Sequence, residues 1–298
     1  MDDKHAEVVR LLRLAQTGFP EEALVLAEER LRLADDPGTL YGRAVALHCI
    51  GDHDGAARAS ERILALTADG DLPGPAAGGS MATEFTGWRS IALPFRAWQH
   101  LLLSETNRQA FELESILHDL AQAEAMLSKD VYDGFTLATA HTCLGNGYHE
   151  LRLYELARPN YEAAFAAATA QPDQVFVDRA VASQLNLATM HLNWSVELHR
   201  IRDGVSAREK IGVAAGHAAI AQRYSATDET QPYAAHASLV LACADQSRGN
   251  EAQGAERIRD ALQAMAGRGL RESRAFALPF LAQALDRAGQ HEQALGVA

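Results

Sequence analysis

The 298-residue chain has only three cysteines, Cys49, Cys143 and Cys243, far apart and odd in number. They supply neither a disulfide framework nor a CxxC metal site, and such usage fits a reducing cytoplasm. No apolar run approaches the roughly 18 residues of a membrane span. The start, Met1-Asp2-Asp3-Lys4-His5, lacks the basic-then-apolar order of an export signal. Basic residues are outnumbered, 27 against 39 acidic, for a net charge of −12. That balance removes any general attraction to nucleic acid or anionic membrane. Alternating Val/Ile/Thr strand patterns are nearly absent, which leaves helices to bury the 48% apolar residues.

What is present is helical punctuation. Apolar side chains recur at three- and four-residue steps from Val8 to Ala15. Thr17-Gly18-Phe19-Pro20 breaks that run, and Glu21-Glu22 opens a second helix with acids in its first turn. Leu40–Ile50, the turn Gly51-Asp52-His53-Asp54 and Ala56–Leu66 repeat the plan. A third hairpin is expected from Glu84–Ser104 and Asn107–Leu127, with Trp98 and Ala110 at its crossing, and a fourth over Thr139–Ala168. Arg179–Leu198 with Ala207–Tyr224 makes the fifth, and Ala234–Gln246 with Ala252–Met265 the sixth. Ser273–Arg287 followed by Glu292 onward begins a seventh. One amphipathic hairpin cannot bury its apolar face alone, so such pairs must stack on one another.

In the fourth copy His141, Leu144, Gly145 and Tyr148 are followed by Ala157, Tyr161 and Ala164. This spacing resembles the tetratricopeptide repeat, W-x2-L-G-x2-Y then A-x3-F, with His141 where Trp is usual. The small residues Gly145 and Ala157 stand twelve apart, as do Ala44 and Ala56, and Ala282 and Ala294. The resemblance implies an all-α right-handed superhelix of about seven hairpins. It is expected to run as one solenoid: repeats one and two over residues 1–66, a Pro/Gly-rich loop over 67–87, and repeats three to seven over 88–298. The loop is a surface insertion or a gate over the groove.

Several motifs are excluded by what they lack. Gly74-Pro75-Ala76-Ala77-Gly78-Gly79-Ser80 has no phosphate-binding Lys, and Gly145-Asn146-Gly147 lacks the third glycine of a dinucleotide loop. None of the twelve histidines forms HExxH, and Leu153 stands where His149-Glu150 would need a second ligand. His141 and His149, like His191 and His199, are two helical turns apart, about 12 Å, too far for one metal. No Ser, Cys or Asp nucleophile is paired with a base. The expectation is a chain without cofactor, metal or catalytic residues.

The tetratricopeptide resemblance implies that first helices line a concave groove, with the residues one, four and five places after the Gly-like position facing inward. This selects His48, Gln99, Asn146, His149, Thr189, Asn193, Gln246 and Gln283, an amide-rich set suited to a peptide backbone or a polar small molecule. The implied partner is a protein or peptide, or a small-molecule effector, with homodimerisation open. The last helix, from Glu292, ends after less than two turns, which leads us to expect the regulatory N-terminal part of a longer protein. Leu185-Asn186-Leu187-Ala188, Trp194 and Glu197-Leu198 resemble repeat regions preceding bacterial diguanylate cyclase domains. A scaffold or adaptor, or a helix-turn-helix transcription regulator, is the rival reading.

Overall fold

The computed structural model describes residues 3–68, 87–107, 113–128, 132–170, 174–225, 231–249, 251–264 and 271–297. These contain fourteen helices and no strand, hence seven hairpins in chain order. The chain divides into two compact units, residues 1–179 and 180–298. Most of the expected 67–87 loop and Ala110 lie outside the described residues.

The first unit holds α1 (Asp3–Gln16), α2 (Pro20–Leu31), α3 (Pro37–Ile50), α4 (His53–Leu66), α5 (Trp88–Asn107), α6 (Leu113–Leu127), α7 (Gly134–Glu150), α8 (Tyr154–Thr169) and the start of α9 (Gln174–Arg200). Asp36, Asp52 and Asp133 cap α3, α4 and α7 by accepting from the backbone N–H three residues on. The Asp133 cap starts α7 five residues before the repeat motif at Thr139 becomes readable. In the third hairpin Asn107 belongs to the first helix, not the second. Several hairpin turns among the described residues share one geometry. After α3, Gly51 takes φ +85° while its N–H donates to His48 and that of Asp52 to Leu47. After α7 and α9 the same left-handed position is filled by Arg152 and Arg202.

From α1 to α8 each helix packs on its chain neighbour, and first helices pack on first helices, α1 on α3 and α5 on α7. Leu11, Leu40, Ile63, Ile91, Phe95, Leu120 and Leu144 are fully buried between them. The close crossing expected at Gly145 is present: a Cβ there would stand 2.5 Å from the Tyr161 ring.

The second unit holds the rest of α9, α10 (Gly204–Tyr224), α11 (Gln231–Ser247), α12 (Glu251–Ala264), α13 (Arg271–Arg287) and α14 (His291–Val297). Its core joins Leu192, Ile211, Leu239, Ile258, Leu281 and Leu285, with alanines such as Ala188, Ala214 and Ala218 filling the narrow contacts. Gly254 allows the closest approach, since a Cβ there would lie 2.6 Å from Gln246 Cβ and 2.9 Å from its Cα.

Candidate binding face

In the first unit α3 and α5 bring two of the sequence-selected residues together. His48 and Gln99 are both buried, and His48 Nδ1 lies 3.2 Å from Gln99 Oε1. A histidine absent from the candidate set, His53 at the start of α4, approaches the same oxygen at 3.0 Å through its own Nδ1. An amide oxygen only accepts, so both imidazoles carry their proton on Nδ1. The amide's other end, Gln99 Nε2, is buried without a hydrogen-bond partner, and so is the indole N–H of Trp98. Trp98 packs its ring on His48, with centroids 4.2 Å apart, and edge-on to Phe95. Large aromatic side chains therefore bridge α3 and α5.

The second pair sits on α7. Asn146 and His149 are half-buried. The Tyr161 hydroxyl of α8 donates to Asn146 Oδ1 at 2.8 Å and stands 3.4 Å from His149 Nδ1. Tyr161 belongs to the A-x3-F part of the repeat, which marks it as core but gives no sign that its hydroxyl organises two groove candidates. Desolvation pulls the His149 pKa down to about 4 and pushes that of Tyr161 up, so both are neutral near pH 7. His141, in place of the usual Trp, faces Asn160 Oδ1 at 2.9 Å across the same hairpin.

In the second unit Thr189 and Asn193 are half-buried one turn apart on α9. Gln246 of α11 is fully buried, and its Nε2 donates to Gln283 Oε1 of α13 at 3.3 Å, with Gln283 exposed. Sequence reasoning missed a cluster on α9 and α10. Gln184 Oε1 meets His217 Nδ1 at 2.8 Å, and the His217 ring lies parallel to that of His191 with centroids 5.7 Å apart. His191 is in turn parallel to Trp194, over whose face the Lys210 ammonium sits at 3.7 Å. The i, i+3 spacing of His191 and Trp194 was the one available signal. His199, two turns further along α9, is exposed.

Burial pushes the Cys143 thiol up to about 12 and raises that of Cys243 as well, which leaves both protonated and unreactive as nucleophiles. Among the described residues no group of three or more His, Cys, Asp or Glu side chains converges as a metal site would. Nor is any described helix long and apolar enough to cross a membrane.

No family model matches the chain, and no curated protein matches it. Among solved structures it is similar to the crystal structure of the apo form of RapI, at a TM-score of 0.51 and 14% identity, over 99% of this chain and 74% of that one. The chain has a tetratricopeptide-like helical-repeat fold. At that identity the likeness concerns the fold alone.

Proposed function

We propose that the chain is a non-catalytic binding module whose first-helix face takes an extended peptide segment and reads its backbone through amides and imidazoles. The observation that carries this is the Gln99 amide. Two histidines hold its oxygen, and its N–H donors are left buried and unsatisfied beside the equally unpartnered Trp98 indole. A buried donor without an acceptor costs about 1–3 kcal/mol; Gln99 is fully buried, so a ligand carbonyl recovers it only where the α3–α5 seam parts beside the partly exposed Trp98. Peptide backbones present carbonyls at regular spacing, and the neutral Asn146–Tyr161–His149 group on α7 offers further polar contacts without a charge requirement. Thr189, Asn193, Gln246 and Gln283 form the corresponding polar positions of the second unit.

Within the regulatory side of the proposal, a diguanylate cyclase as the output domain rests on the short sequence resemblance in α9. There Leu185, Leu187 and Ala188 are buried and Trp194 carries Lys210, so packing accounts for those residues. The output is therefore left unnamed.

A peptide array probed with the intact chain tests the binding reading. Selected peptides should change Trp98 emission, and Gln99→Leu should abolish their binding while circular dichroism stays the same. Undiminished binding by Gln99→Leu would remove this face from consideration.

A further inference from the structure

Away from the first-helix face, a cleft of about 460 Å³ opens between α2, α3 and α4, lined by Arg32, Arg43, Arg58 and Arg62 together with Glu28, Leu31, Leu40 and Ala59. Four guanidinium groups around one cleft are a local reversal of sign in a chain of net charge −12. Two of them are already held, Arg58 by Asp54 and Arg62 by Asp35. Arg32 and Arg43 line the cleft with no carboxylate at ion-pair distance among the described residues. The dipole at the end of α2 explains a cation at Arg32. It does not explain Arg43 or Arg62, which lie within the bodies of α3 and α4. The partly exposed Leu31, with the buried Leu40 and Ala59 behind it, gives the cleft an apolar floor, and its volume is in the range of small-molecule sites.

We propose that this cleft binds a small phosphomonoester. Arg32 and Arg43 donate to the phosphate, the partly exposed Leu31 receives the organic body, and Glu28 accepts from a hydroxyl or amine on it. Two unpaired guanidinium groups match the charge of a phosphomonoester, about −1.5 to −2 near pH 7. Their planar forks suit bidentate contact with its oxygens. The site is independent of the peptide reading, because it is built mainly by the second helices α2 and α4.

Calorimetric titration of the whole chain with adenosine monophosphate, adenosine, inorganic phosphate and O-phosphoserine tests it. Adenosine monophosphate should bind and adenosine should not, while inorganic phosphate should compete weakly. Arg32→Gln with Arg43→Gln should lower the affinity at least about tenfold, and Arg43→Lys, which keeps the charge but loses the fork, should fall between. Arg152→Gln with Arg158→Gln, on the second-helix side of another hairpin, should change nothing. Three results would overturn the proposal: no saturable binding, adenosine binding as tightly as its monophosphate, or equal losses in the two double variants. O-phosphoserine competing as well as adenosine monophosphate would overturn the small-molecule assignment in favour of a phosphorylated protein.

Discussion

Tyr161 donates its hydroxyl hydrogen to Asn146 Oδ1 at 2.8 Å, and its ring fills the space left by the missing side chain of Gly145. One residue thus does two tasks: it lets α7 and α8 cross closely, and it fixes the first polar side chain after the crossing.

The crossing comes first. Gly145→Leu places atoms where the Tyr161 ring stands and should destabilise the chain by roughly 1–3 kcal/mol. Chemical denaturation against a surface control, Glu29→Gln, measures this. Equal midpoints for Gly145→Leu and the parent would contradict the packing.

Tyr161→Phe separates the two tasks, since it keeps the ring and removes only the hydroxyl. The loss should be about 0.5–1.5 kcal/mol, the net value of one hydrogen bond. Any peptide that contacts Asn146 should bind this variant more weakly, because one hydrogen bond that orients the amide is lost. A variant unchanged in both stability and binding would show that the hydroxyl contact is unused.

The hairpin plan and the Gly145 crossing were legible in the sequence because close approach demands small residues at a fixed interval, and glycine or alanine at that interval has few other uses. The helix start at Gly134 was not, because it depends on the Asp133 cap, which lies outside the repeat motif. Of the candidate site, the sequence placed His48 and Gln99, and Gln246 and Gln283, on first helices without pairing them, and their contacts came only from the structure. His53 was hidden in a turn, where Asp52 and Gly55 already explain the local sequence. Gln184, His191 and His217 were hidden for another reason: their contact joins α9 to α10, and no interval within one helix encodes it.

The Arg96–Asp119 pair ties α5 to α6, with Arg96 Nε and Nη2 donating to the two carboxylate oxygens at 2.8–2.9 Å. Asp119 is buried and Arg96 is partly exposed. Asp119→Ala strands the guanidinium beside an apolar interface and should cost on the order of 3 kcal/mol. Losing both partners in Arg96→Met with Asp119→Leu should cost less than Asp119→Ala alone. A double variant worse than the single one would contradict this account of the pair.

His149 predicts a pH dependence. Its folded pKa, about 4, lies below the unfolded value of about 6.5, so the unfolded chain binds the proton first as pH falls. Stability from this group is complete above about 6.5, declines down to about 4, and is gone below that. His100, lowered by burial and by Arg96, acts in the same direction. The full His149 shift corresponds to roughly 3 kcal/mol, and the partial exposure of the ring reduces the expected loss to about 1–2 kcal/mol. Unfolding free energies between pH 4 and 7 should show a shallower slope for His149→Gln than for the parent. Identical slopes would contradict the assignment.

The central claim is that a peptide occupies the first-helix face of residues 1–179. A binding peptide from the array, made with a photoreactive residue and cross-linked to the intact chain, tests it most directly. The account predicts cross-links on α3, α5 and α7 close to His48, Gln99 and Asn146. Cross-links confined to the second helices α4, α6 and α8 would contradict it.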